Sequence, residues 1–230
     1  MTIAYEVATP EGPGRWHLDP AEEPRALLAL GHGAGGGVTA MDLALLAREL
    51  PAVGVTVARF EQPWRLAGRK VAVPPPRLDI GWLPAVRSLS ERPEGQDLPL
   101  VVGGRSAGAR VACRTATELG AAAVLCLAFP LHLPGRPEKS RLPELLQPSV
   151  PRLVLQGTRD TFGSAAELSD DLAAAGDAIR VGVEVVPLPG ADHGFKTPAR
   201  AEFRPADLRA LLVASTVRLI EAVTSAGRSR

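Results

Sequence analysis

Cysteine and histidine are scarce in this chain, two and four among 230 residues, and net charge is almost absent, with 26 basic against 25 acidic side chains. Each shortage excludes a class of function. Cysteines and histidines so few and so scattered cannot assemble a zinc site, and no metal is expected. A formal charge of +1 gives no field that would draw nucleic acid or an anionic membrane. Long apolar runs are also missing. The longest, around Ala121 to Phe129, is too short to span a bilayer. The N-terminus has no basic segment followed by an apolar one, so no secretory signal is expected and the cytoplasm is the expected compartment. Cys113 falls in a helical pattern and Cys126 in an apolar run; both are expected as buried small hydrophobes rather than as a disulfide.

What is present is an alternation of short apolar runs and amphipathic stretches, in a length suited to one domain spanning residues 1–230. Strands are expected at Thr2–Val7, Arg15–Leu18, Ala26–Leu30, Gly54–Phe60, Leu98–Val102, Ala122–Leu127, Arg152–Leu155 and Val181–Val186. Between them fall helices from Thr39 to before Pro51, capped by Thr39 with Asp42, from Leu78 to Glu91 and from Ser164 to Ala175. A last helix opens on Pro205 and turns Leu208, Leu211, Leu212, Ser215 and Leu219 inward. The proline-rich segment Glu61 to Arg77 is expected to be irregular and on the surface. Such alternation implies an α/β fold, a mostly parallel twisted sheet with helices on both faces. Ligands then bind outside the carboxyl ends of the strands.

One stretch organises the rest. Leu100-Val101-Val102-Gly103-Gly104-Arg105-Ser106-Ala107-Gly108 runs from a strand into a helix through glycines, the context of the G-x-S-x-G nucleophile elbow. A serine hydroxyl needs a histidine to take its proton and a carboxylate to orient that histidine. Only loops at the same end of the sheet can supply them. Asp160 is the first acid past the Arg152–Leu155 strand, and His193 lies in the loop after the next one. The order Ser106, Asp160, His193 is that of α/β hydrolases. Asp192, adjacent to His193 in the chain, is poorly placed to reach its imidazole. The loop Gly31-His32-Gly33-Ala34-Gly35-Gly36 fits two chemistries. It is a formal dinucleotide fingerprint, with Glu61 as a late ribose acid. It also fits the type of loop that supplies an oxyanion amide, from Ala34 with Gly33 as the alternative, opposite the amide of Ala107. The late helix start favours the second.

These four motifs, with Ala67-Gly68-Arg69 and the excursion Phe129 to Lys139, make the chain from Ala26 onward resemble the α/β-hydrolase superfamily. More narrowly it resembles a small lidless branch of predicted hydrolases related to dienelactone hydrolases. The resemblance implies an α/β-hydrolase fold without a full lid domain, a Ser106–His193–Asp160 triad and no cofactor. It carries no substrate, since members of this branch are mostly uncharacterised, and the dienelactone class does not carry over because dienelactone hydrolases proper use cysteine where this chain has Ser106. One relative of the branch is a subunit of a chromatin acetyltransferase complex, which keeps a non-catalytic interaction protein as the alternative class. Arg105 and His132 are candidate substrate contacts, Arg105 toward an anionic group. A short excursion in place of a lid points to small ester or thioester substrates.

Overall fold

A computed structural model describes residues 1–176, 182–200 and 203–227. Its sheet has eight strands in the order β1-β2-β4-β3-β5-β6-β7-β8. These are β1 (Ile3–Val7), β2 (Gly14–Asp19), β3 (Ala26–Gly31), β4 (Val55–Glu61), β5 (Leu100–Arg105), β6 (Ala123–Leu127), β7 (Arg152–Gly157) and β8 (Val183–Leu188). The hairpin β1–β2 joins β4 antiparallel, and every later pairing is parallel. The expected strand start at Val181 lies outside the described residues.

The central strands are buried throughout, as their unbroken apolar runs require. Alternate residues feed two separate cores. Leu28 and Leu30 meet Leu43 and Leu46 of α1 (Met41–Glu49) and Leu208, Leu212 and Ile220 of α7 (Pro205–Gly227). On the other face Leu27, Ala29, Val102 and Val154 meet three helices. These are α3 (Pro75–Ser90), α4 (Ala107–Thr115) and α6 (Ala165–Ala174). Trp16, Phe60 and Trp82 close one end of that core with ring centroids 4.9 to 5.9 Å apart. Cys113 and Cys126 are buried and free, their sulfurs 3.5 Å apart. The hydrogen bond with Cys113 and, after it, burial push the Cys126 thiol well above its ordinary range.

Three expectations change. Helix α1 starts at Met41 with Ala40 as its uncapped N-cap, and Thr39 plays no part. Asp42 is instead fully buried, with a partner elsewhere in the fold. The Glu61–Arg77 segment is not all surface: α2 (Pro63–Leu66) buries Pro63 and Trp64, and α3 already begins at Pro75. In both helices proline sits in the first turn, where its missing N–H costs nothing. On α7 the fully inward positions are Leu208, Leu212, Ser215, Thr216 and Ile220, whereas Leu211 and Leu219 are only half-buried. Among the described residues, no helix is long and apolar enough to cross a membrane.

From β3 the chain moves to β4 on one side and then to β5 on the other. That reversal opens a crevice at the carboxyl ends of β3 and β5.

Candidate active site

Ser106 follows β5 at φ 52° and ψ −110°, left-handed geometry that a non-glycine residue avoids at a cost of about 1–3 kcal/mol. Its surroundings impose the turn. The Ser106 N–H donates to the Leu127 carbonyl at 2.9 Å. Glycines let β3 close in: a Cβ at Gly104 would stand 2.5 Å from the Gly31 oxygen, and one at Gly108 would stand 2.2 Å from it. The hydroxyl is thereby lifted off the sheet at the N-terminus of α4, where the helix dipole favours developing negative charge.

The chain returns to this point twice. Asp160 follows β7 with a fully buried carboxylate, and His193 follows β8. His193 Nε2 lies 3.0 Å from Ser106 Oγ, and its Nδ1 lies 2.8 Å from Asp160 Oδ2. A carboxylate only accepts, so Nδ1 carries the ring proton and Nε2 faces the serine hydroxyl as acceptor. Phe162 stacks on the imidazole with centroids 4.2 Å apart. The Phe162 N–H donates to Asp160 Oδ1 at 2.8 Å. Asp192 is excluded from this chain of bonds, because its Oδ1 accepts the N–H groups of Gly194 and Lys196 and closes its own loop.

The first glycine-rich loop passes directly over the elbow: a Cβ on Gly33 would touch Ser106 Cβ at 3.5 Å. The amides of Ala34 and Ala107 have no acceptor among the described residues. His32 shapes this loop. Its Nδ1–H donates to the Gly33 carbonyl at 2.8 Å, and its Nε2 accepts the Gln62 N–H at 3.2 Å. Burial holds its pKa below the ordinary histidine range. A neutral ring is what this pair of bonds needs.

A family model described as an alpha/beta hydrolase domain matches residues 24–221. The chain belongs to the alpha/beta hydrolases. No curated protein matches it. Among solved structures, this alpha/beta hydrolase is similar to XC6422 from Xanthomonas campestris, described as a serine hydrolase without a lid. The two are 21% identical over 95% of this chain and 94% of that one, with a TM-score of 0.71. It is similar also to Est1E from Butyrivibrio proteoclasticus, at 15% identity over 95% and 98% of the two chains and a TM-score of 0.70. A dienelactone hydrolase from Anabaena variabilis matches at 19% identity over 94% of each chain, with a TM-score of 0.69. At these identities the likeness is one of fold.

Other side chains pack around Ser106, Asp160 and His193. Gln156, fully buried at the end of β7, brings its amide nitrogen to Asp160 Oδ2 at 3.1 Å, to the Phe129 carbonyl at 3.1 Å and to that of Gly163 at 2.6 Å. It escaped the sequence reading, although a lone amide closing an apolar strand just before Gly157 is a signal. Arg105 donates to the buried Asp42 and to the backbone carbonyl of His193. His132 donates from Nδ1 to the Leu133 carbonyl at 2.9 Å, and its backbone N–H donates to the Phe162 carbonyl at 3.0 Å. Beside the two free amides lies a narrow cleft of about 10 Å³, bounded by Gly33, Ala34, Ala107, Leu78, Trp82 and Val111. Among the described residues, no three histidine, cysteine, aspartate or glutamate side chains are grouped to hold a metal ion.

Proposed function

We propose that the protein is a serine hydrolase that cleaves small carboxylic esters or thioesters through an acyl-enzyme. The observation that carries this reading is the unbroken line Ser106 Oγ, His193, Asp160, with contacts of 3.0 and 2.8 Å. Ser106 attacks the carbonyl carbon and gives its proton to His193 Nε2. Asp160 keeps the ring in the required tautomer and stabilises the imidazolium. The oxygen that becomes negative is held by the amides of Ala107 and Ala34, with Gly33 as alternative to Ala34. His193 then returns the proton to the departing alcohol or thiol. Water, deprotonated by the same nitrogen, clears the acyl group from Ser106.

The cleft beside the oxyanion amides is only about 10 Å³, far below the roughly 300–1,000 Å³ typical for drug-sized ligands, which argues against a bulky acyl group. Est1E, one of the similar structures, is known with ferulic acid bound. His132 is the candidate for the pocket wall, one hydrogen bond away from the Phe162 that stacks on His193. Arg105 has both terminal nitrogens engaged, which argues against its serving as an anion receptor.

The test compares wild type with Ser106→Ala on short p-nitrophenyl esters at equal folded concentration, together with fluorophosphonate labelling. Wild type should label and turn over. Ser106→Ala should lose labelling and fall by about three orders of magnitude or more in rate. Equal rates would mean an idle serine, and the interaction-protein alternative would replace the enzyme.

A further inference from the structure

Asp42 and Arg105 belong to neither the triad nor the oxyanion amides, yet they are built into the same corner. Asp42 is fully buried in α1, and an isolated carboxylate does not persist there. Its Oδ1 takes the Leu43 N–H at 3.0 Å, and its Oδ2 takes an N–H of Arg105 at 2.6 Å. Arg105, the residue before the nucleophile, keeps only 14% of its side chain exposed. Its other terminal nitrogen donates to the backbone carbonyl of His193, and its guanidinium lies 5.2 Å from the ring centroid of Phe195. Its stem also runs beside Gly33 of the amide loop.

The histidine loop needs outside anchors. Internally it is closed by Asp192 and turned at Phe195, whose φ is 58°. Toward the sheet it is tied by the Arg159 N–H to the Ala191 carbonyl at 2.9 Å. The imidazole is tied by Asp160. Among the described residues, no other donor than Arg105 reaches the His193 carbonyl. Ring and peptide of one residue are therefore held by two different anchors.

We propose that Arg105 is a positioning residue for His193, with Asp42 as its buried anchor; the inference rests on the triad reading above. The planar fork spans two acceptors set by different elements, a task a lysine point charge performs poorly. It fixes the His193 peptide so that Nε2 meets Ser106 without a search. A misplacement of about 1 Å in such a contact costs on the order of 100-fold in rate.

The experiment separates positioning from stability. Arg105→Met alone strands a buried carboxylate, so it is paired with Asp42→Leu, which removes both charges and leaves the melting temperature near wild type. This double variant should lose about 10- to 100-fold in kcat on a short p-nitrophenyl ester, with KM moving less than about threefold. Arg105→Lys should recover part of the loss. In a His193→Ala background the same pair should change the much lower residual rate by less than about twofold, because no base remains to be positioned. A folded double variant with wild-type kcat overturns the proposal, as does a loss of equal size in both backgrounds. A rate that ignores Ser106→Ala removes the triad reading and this inference together. A serine-dependent rate indifferent to Arg105 removes the inference alone.

Discussion

His32 is 4% exposed, and both of its ring nitrogens are committed to the backbone around it. Burial is the largest influence on it and lowers its pKa from the ordinary 6.5, against the pull of the Gly33 carbonyl and of Glu61. Unfolding returns the ring to water, where it takes up a proton that the native ring refuses. The unfolded chain therefore binds more protons below about pH 6.5, and stability falls as pH drops through that window toward the native value. Urea unfolding at pH 7.5 and 5.5 should show the loss in wild type and a smaller one in His32→Gln. Equal losses would place the titration elsewhere. At this scale the sequence was a partial guide. Ser106, Asp160 and His193 could be named because each must stand at a strand end in a fixed order. Asp42 could not be read correctly: three residues after a threonine it looks like a capping partner, and its arginine is 63 positions away.

Strand β3 and helix α4 touch backbone to backbone, and glycine is what allows it. A methyl at position 108 would stand 2.2 Å from the Gly31 oxygen and 2.5 Å from its carbonyl carbon, and no flexible side chain is there to yield. Gly108→Ala should therefore cost about 1–3 kcal/mol by overpacking and cripple turnover by moving the amide loop relative to Ser106. Gly36→Ala, with nothing within 4 Å of the added carbon, should stay within about 0.5 kcal/mol of wild type. Melting curves and ester assays on the two variants distinguish the contact from a general intolerance of alanine. The glycines also explain which elements were legible. Parallel strands announce themselves as unbroken apolar runs bounded by glycine. By contrast α2 and the first turn of α3 were hidden, because prolines read as interruptions also begin helices. The burial of Trp64 depends on packing that no local pattern records.

Taken whole, the sheet brings Ser106, Asp160 and His193 to one rim. Between β6 and β7 the chain makes only one described helix, α5 (Leu142–Leu146). Its Glu144 is tied down to Arg110 and Arg114 of α4, so it braces the molecule and does not arch over Ser106. Long acyl chains would find no apolar shelter there. Activity on p-nitrophenyl esters should be greatest for acetate and butyrate and fall away beyond about eight carbons. A stepwise chain-length series checks this, and a maximum at ten carbons or more would contradict it. The whole-molecule plan was the most legible level, since alternating elements of this order admit few topologies. The edge hairpin and the β3-centred reversal agree with that plan.

The placing of Ser106, Asp160 and His193 after β5, β7 and β8 also sets a schedule. A chain emerging from the ribosome displays Ser106 while its proton acceptor is still unmade. If Ser106 is the nucleophile proposed above, it stays inert until the segment around His193, late in the 230 residues, has left the tunnel and the last parallel strand has paired. On the proposed mechanism no partly synthesised form of the protein can be acylated at Ser106, and reactivity arrives only with the nearly finished fold.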